Sequence, residues 1–201
     1  PDAAALSVTG DLDLRWLGSL NDWTPTGNRQ LIDKYTGAGQ SSWLFQINAT
    51  SGTPRLYWSA DGTALLTSAA TAAPTVSDGA VLGLRVALDV DAGASNKTVT
   101  FFTRTDDDIS SNTGWTQLGS VVTTAGTTSV FDSTAPIEVG SAAGGTAELL
   151  AGTVQRVEVR DGIDGTVVAS YDATAPMGPR YRDPEANIWT INGSAWAWEK
   201  S

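Results

Sequence analysis

Apolar residues occupy every second position from Leu82 to Val90. This period of two puts all their side chains on one face of an extended chain, so it predicts a long strand with one face in a core. No segment of ten or more residues keeps the 3.6-residue period of a helix. Sheets of this kind bury their apolar faces by stacking on one another.

Short apolar segments recur along the chain between Gly and Asp turn signals such as Asp61-Gly62. We count about a dozen of them, which predicts an all-β, antiparallel two-sheet β-sandwich with essentially no helix. One of these strands is predicted from Trp115 to Val122, and a final hairpin joins Ile188–Ile191 to Ala195–Trp198. Neither a repeat nor a linker interrupts the pattern, so residues 1–201 are predicted to form a single domain.

One segment near the end of the chain, Gly152–Arg160, combines strand alternation with an irregularity. Val154 and Val157 are three residues apart, so a strict period of two fails once. A β-bulge near Gln155 and Arg156 would bring both valines to the core face.

Composition excludes several functional classes. Twelve Lys and Arg against 22 Asp and Glu give a net charge of −10, which argues against nucleic acid as a partner. The chain contains neither Cys nor His, which excludes disulfides, His-dependent catalytic triads and ordinary zinc sites. No apolar run reaches the roughly 20 residues of a membrane span, so no membrane is expected. No signal peptide is visible, and the start at Pro1 leads us to expect an excised domain or a processed product.

Four segments share a pattern of strands and turns: Leu84–Asp89, Lys97–Phe102, Ile137–Ser141 and Leu150–Arg160. Together they resemble the laminin-G-like, concanavalin-A-like jelly rolls. The resemblance covers roughly residues 80–161 and implies a two-sheet jelly roll with ligands at a rim or on a concave face. Relatives bind glycans, sometimes with calcium, or bind proteins.

The Thr-, Ala- and Gly-rich composition and the segments Asp161–Gly165 and Ile188–Gly193 are similar to such domains in structural proteins of phages that infect actinobacteria. This resemblance implies a tail or head appendage, with the domain on the virion surface or otherwise extracellular. Other virion proteins and a second copy of the chain are then candidate partners.

Three functions follow from these observations. The first is a non-catalytic carbohydrate-binding, attachment or decoration module that recognises host surface polysaccharide. The second is a purely structural multimerisation module, in which Trp196 and Trp198 seal an edge or contact a neighbouring subunit. The third is a glycoside hydrolase using Glu138 and Glu158, but neither lies in a recognisable motif and we interpret Glu158 as part of a surface charge pair. We therefore expect no enzyme.

Aromatic residues in or beside loops are the main candidates for sugar contacts, because sugars stack their CH faces on aromatic rings. Trp16, Trp43 and Trp189 lie in apolar alternation and are predicted to belong to the core. The remaining candidates are Trp23 in a loop, Tyr57 on a strand with its side chain opposite that of Trp58, and Trp115 at the end of a loop.

A run of acidic residues supplies the candidate polar ligands. Asp106, Asp107 and Asp108 share a loop with Asn112, and calcium prefers several oxygen ligands gathered by a flexible loop. The spacing does not match a known calcium loop, so we favour a solvated loop and leave the metal open. We predict that Asp106, Asp108 and Asn112 are ligand-binding residues.

Overall fold

A computed structural model describes residues 6–37, 39–173 and 180–190 of the chain. That part contains no α-helix, and none of its segments is a helix able to cross a membrane. The described strands, in chain order, are β1 (Leu12–Leu20), β2 (Arg29–Tyr35), β3 (Ser41–Ile47), β4 (Pro54–Ser59), β5 (Leu65–Ala69), β6 (Val81–Asp89), β7 (Asn96–Arg104), β8 (Thr116–Gln117), β9 (Val122–Ala125), β10 (Ile137–Val139), β11 (Gly152–Asp161), β12 (Thr166–Asp172), β13 (Arg180–Arg182) and β14 (Ile188–Thr190).

Two antiparallel sheets form the body of the fold, as the alternation predicts. The larger sheet has the order β12-β11-β1-β6-β7-β8, and β9 also pairs with β7. The smaller sheet has the order β10-β2-β3-β4-β5. Strands β13 and β14 pair only with each other among the described residues. The central strand β1 thus pairs with two strands that follow it by some 65 and 135 residues along the chain, a connection typical of sandwiches rather than of consecutive hairpins.

The inner faces of the two sheets form one apolar core. Trp16 in the larger sheet and Trp43 in the smaller are fully buried, as predicted, while Trp189 is half-buried and packs against the core edge. Phe45 and Phe101 bring the two sheets together, with ring centroids 6.5 Å apart. Burying an aromatic ring of this kind contributes about 1.5 to 3 kcal/mol, so a few such pairs dominate the stability of the sandwich.

The predicted bulge in β11 is confirmed by its pairing with β1. Leu17 lies opposite Arg156 and Gly18 lies opposite Val154, so Gln155 has no partner across the ladder. The extra residue restores the alternation, and Val154 packs against the same core as Val157.

Two local predictions were wrong or fall partly outside the described chain. The single strand predicted from Trp115 to Val122 is instead two short strands, because Gly119 takes a positive φ of 71° and turns the chain between them. The first arm of the predicted final hairpin, β14, pairs with β13, and the second arm with Trp196 and Trp198 lies outside the described residues.

Gly18 leaves no room for a side chain beside the bulge. A Cβ there would overlap the carbonyl oxygen of Thr153 and lie 2.6 Å from the Trp16 ring. We therefore expect Gly18→Ala to lower the free energy of unfolding by at least about 2 kcal/mol, measured by denaturant titration. Gly10→Ala is the control, because a Cβ at Gly10 meets nothing within 4 Å. Equal stabilities for the two variants would contradict this account of the bulge.

Candidate functional site

Five of the nine arginines of the chain lie on the outer face of the larger sheet, and we call this surface the arginine face. Antiparallel pairing sets Arg15 of β1 directly opposite Arg85 of β6 and Glu158 of β11. Because alternate residues of a strand point to opposite faces, Leu14 and Trp16 enter the core while Arg15 points outward. The five residues are Arg15, Arg85, Arg104, Arg156 and Arg160.

Asp13 is the carboxylate on which the centre of this face converges. Its Oδ2 lies 2.9 Å from Nη2 of Arg15 and 2.9 Å from Nη2 of Arg85. Asp164, from the turn between β11 and β12, lies 2.8 Å from Arg15 and 2.9 Å from Arg85. Asp13 and Arg15 are fully buried, where charges persist only if they are paired and hydrogen-bonded.

A loop of residues 105–115 covers the arginine face and is held there by its own carbonyl groups. Nη1 of Arg15 donates to the carbonyl oxygens of Ile109, Ser110 and Ser111 at 2.9, 3.2 and 3.1 Å. Ile109 is fully buried although it lies outside the main core cluster. The side-chain oxygen of Asn112 accepts hydrogen bonds from Arg15 at 2.8 Å and from Arg160 at 3.2 Å.

Trp115 closes the end of this loop over three guanidinium groups. Its ring centroid lies 5.1 Å from Arg104, 5.8 Å from Arg15 and 5.9 Å from Arg85, within the range of cation–π attraction. Its indole N–H donates to the carbonyl oxygen of Ser111 at 2.9 Å. The half-buried ring therefore has a structural role in holding the loop.

The structure brings four of the six predicted ligand-binding residues into this one loop, with Asp106, Asp108 and Asn112 exposed beside Trp115. Asp106 pairs with Arg104, and Asp108 accepts a hydrogen bond from the Ser111 amide at 3.2 Å. Within the described ranges, no group of three or more acidic side chains could hold a metal ion. Calcium binding stays a prediction.

The other two predicted residues lie elsewhere. Trp23, a candidate because it lies in a loop, is only 3% exposed and packs edge-on against Trp16, with ring centroids 6.4 Å apart. The loop after β1 folds inward, and the polar residues that surround Trp23 in the sequence do not indicate this. Tyr57 is half-buried on the outer face of the smaller sheet, where its hydroxyl accepts a hydrogen bond from Arg55 at 2.8 Å. It therefore cannot contact the same small ligand as the loop of residues 105–115.

Removing the charge of Asp13 tests whether the arginine face depends on it. Asp13→Asn leaves Arg15 and Arg85 buried with one carboxylate fewer, so we expect a loss of about 3 to 5 kcal/mol in the free energy of unfolding. Asp108→Asn, in the exposed part of the loop, is the matched control and should lose less than about 1 kcal/mol. Comparable small losses for both variants, measured by urea titration, would show that the network is not stabilising.

A groove of about 460 Å³ runs along the exposed border of the arginine face, between the loop and the turn that joins β13 to β14. We call it the charged groove. Nε of Arg156 lies 3.1 Å from Asp172, and Nη2 of Arg160 lies 2.7 Å from Glu158. Its lining residues are Ser110, Arg156, Val157, Glu158, Arg160, Val167, Ser170, Tyr171, Asp172, Pro184 and Glu185.

Glu158 lies on the outer face, as the strand pattern predicts, but it is buried rather than on the surface. It is only 6% exposed, because Ser110 of the covering loop donates a hydrogen bond to it. The surface charge pair with Arg160 is therefore a buried one. The arginines could have been noted as outward residues of their strands, but nothing local indicated that they meet.

The two carboxylates considered for glycoside hydrolysis line different cavities. Glu158 lines the charged groove, whereas Glu138 lines a separate cavity of about 220 Å³ between the edges of the two sheets. A hydrolase needs both carboxyl groups around one glycosidic bond. This pair does not have that arrangement.

A third acidic group, Asp33, lies beside Glu138 on the smaller sheet. Burial and, after it, the negative charge of Glu138 raise the pKa of Asp33 from 3.8 to about 9. The Tyr35 amide opposes this increase, and the charge of Glu148 adds a smaller one. Asp33 is therefore protonated at neutral pH.

The pKa of Asp33 predicts how stability changes with pH. The folded chain holds this proton up to about pH 9, whereas the unfolded chain releases it near pH 4. The free energy of unfolding therefore decreases as the pH rises from about 4 to about 9. The decrease from this group is up to about 1.4 kcal/mol per pH unit. Asp33→Asn should remove that slope in thermal unfolding across pH 5 to 8, whereas the exposed control Asp132→Asn should keep it. A wild-type profile as flat as that of Asp33→Asn would contradict the prediction.

Comparison with known proteins gives a likeness at the level of structure. No family model matches the chain, and no curated protein matches its sequence. The chain is similar to the CBM40 module of the Ruminococcus gnavus IT-sialidase bound to α2,3-sialyllactose, with a TM-score of 0.54 and 12% identity over 80% of this chain and 81% of that chain. The same module bound to α2,6-sialyllactose gives 0.51 and 14%, over 80% and 82%. At these identities the likeness shows a common β-sandwich fold.

Proposed function

We propose that this chain is a non-catalytic carbohydrate-binding module and that the charged groove is its glycan site. The observation that carries the proposal is the half-exposed contact of Arg156 with Asp172 in this groove, beside the buried pair of Arg160 and Glu158. The Arg156 contact presents N–H donors next to carboxylate acceptors. Neighbouring sugar hydroxyls both donate and accept, so this arrangement matches them.

Hydrogen bonds within the groove wall support the same function. Arg15 donates to the carbonyl oxygen of Ser110, and Ser170 on the opposite side donates to Glu185 at 2.8 Å. Groups held in place before a ligand arrives lose little conformational entropy on binding. Two similar solved structures are of a carbohydrate-binding module bound to sialyllactose, which favours a sugar over other ligands.

The charges in the groove favour neutral glycans over carboxylated ones. Two arginines face three acids, Glu158, Asp172 and Glu185, and the chain as a whole carries a charge of −10. Among the described residues that line the groove, no guanidinium is left in excess for a sugar carboxylate, and the surrounding field repels anionic polymers. We therefore propose that this chain prefers sugars without a carboxylate, unlike the sialyllactose bound by the modules that share its fold.

A glycan-binding experiment tests this function. We expect at least one neutral bacterial surface glycan to bind on an array, with affinity measured by calorimetry, and Arg156→Ala to weaken that binding at least tenfold. Lactose should bind no more weakly than sialyllactose. The absence of any bound glycan would refute the proposed function.

Arg55→Ala is the matched control, because Arg55 is also a half-buried arginine on an outer sheet face. Its binding should equal that of the wild type. If Arg55→Ala or Tyr57→Ala abolishes binding while Arg156→Ala does not, the glycan site lies on the smaller sheet instead.

The biological setting that we propose is attachment of a phage particle to host surface polysaccharide, with the module exposed on the virion or otherwise extracellular. Its support is the resemblance of the Thr-, Ala- and Gly-rich composition and of the segments Asp161–Gly165 and Ile188–Gly193 to such domains in phage structural proteins. Other virion proteins are then neighbours, and calcium is a proposed ligand of the loop carrying Asp106 and Asp108. Binding of the module to whole host cells, competed by purified cell-wall glycan, tests the setting.

Multimerisation is a second candidate function, favoured by the edge of the smaller sheet. The terminal strand β5 exposes Leu65 and Leu66 by 41% and 38%, and an apolar edge strand is a template for pairing with another chain. If this function is correct, light scattering should show an oligomer that Leu66→Lys converts to monomer. A monomeric wild type would exclude it.

A further inference from the structure

The second cavity, of about 220 Å³, opens between the edge strands of the two sheets. We call it the aromatic pocket, because Tyr171 of β12 and Trp189 of β14 line it above the apolar side chains of Val139 and Val154. The ring centroids of Tyr171 and Trp189 are 5.8 Å apart and their planes meet at 58°. The two inclined rings therefore enclose a narrow space between them, which suits a compact ligand group rather than a long flat one.

Hydrogen bonds hold Trp189 in this position. Its indole N–H donates to Oδ2 of Asp183 at 3.1 Å, and the same carboxylate accepts from the Ser170 amide at 3.0 Å. Asp183 is almost completely buried. The turn that carries Glu185 is in this way fixed to the edge of β12, and so is the wall of the aromatic pocket.

The charge around the aromatic pocket is negative. Glu138 lines it, and both carboxylate oxygens of Glu138 accept from the Gly144 amide, at 2.8 and 3.0 Å, which fixes the group at the rim. Glu148 is a further carboxylate nearby, since the charges of Glu138 and Glu148 both raise the pKa of Asp33. Asp33 is protonated at neutral pH and adds no charge of its own. No lysine or arginine is among the described residues that line this pocket.

We propose that the aromatic pocket binds an ammonium group, and specifically the free amine of an amino sugar. A cation is attracted to the electron-rich faces of aromatic rings and pairs with a carboxylate at the same time. Tyr171 lines both the aromatic pocket and the charged groove, so a glycan in the groove reaches the pocket around the edge of β12. This inference rests on the proposed carbohydrate-binding function and names one substituent that the glycan carries.

The experiment compares glucosamine with N-acetylglucosamine, which has the same ring without the charge. Titrations are followed by NMR on the indole N–H signal of Trp189, assigned with Trp189→Phe. Glucosamine should shift this signal, and N-acetylglucosamine should bind at least tenfold more weakly. Equal affinities for the two sugars would overturn the proposal.

Glu138→Gln separates the role of this carboxylate from that of overall charge. The variant should weaken glucosamine binding about tenfold while its melting temperature shows that it remains folded. Asp132→Asn makes the same change of charge at an exposed acid outside both cavities and should bind glucosamine as the wild type does. An equal loss in Asp132→Asn would mean that only the net charge attracts the amine, which refutes the pocket.

The outcomes for the two cavities can be told apart. If a neutral glycan binds and depends on Arg156 but glucosamine leaves the Trp189 signal unchanged, the ammonium site is refuted and the charged groove stands. If glucosamine shifts Trp189 and no neutral glycan binds, the groove is refuted and the pocket remains as a site for a small amine.

Discussion

The outer face of the larger sheet depends on one buried carboxylate, that of Asp13. It pairs with Arg15 and Arg85, and Asp164 completes the set from a turn some 150 residues further along the chain. Charges buried this deeply are stable only when every partner is present. The covering loop supplies the remaining acceptors, the carbonyl oxygens that bind Arg15. Strand, turn and loop are therefore ordered together, and the wall of the charged groove is a consequence of that order.

The two cavities lie on either side of the edge strand β12. Alternation along this strand sends Ser170 and Asp172 to the charged groove, while Tyr171 lines both cavities. The turn between β13 and β14 packs against the same strand through Asp183 and lines the charged groove, while Trp189 of β14 lines the aromatic pocket. A ligand that lies along the edge of β12 would contact the hydrogen-bonding groups of the charged groove at one end and the aromatic pocket at the other. The edge strand thus connects the proposed sugar site with the proposed ammonium site.

Much of the fold was predictable because its signals are local. The alternation from Leu82 to Val90 and the irregular spacing after Val154 each describe one strand. The structure confirms the strand and the β-bulge that they predict. Predictions about exposure were less successful. Trp23 is surrounded by polar residues and is nonetheless buried, and Glu158 points outward but lies beneath Ser110. In both cases a distant part of the chain covers the side chain, which no local pattern records.

The sequence by itself determined the all-β class, the inward and outward positions of β6 and β11, and the absence of His and Cys chemistry. Only the tertiary structure decided which outward residues meet. Arg15 contacts Ile109 across 94 positions of sequence, and Asp13 reaches Asp164 across 151. A strand period depends on the geometry of adjacent residues, whereas these contacts depend on the pairing of β1 with β6 and β11. That pairing is set by packing of the whole core, so the arginine face and both cavities emerge only when the sheets have closed.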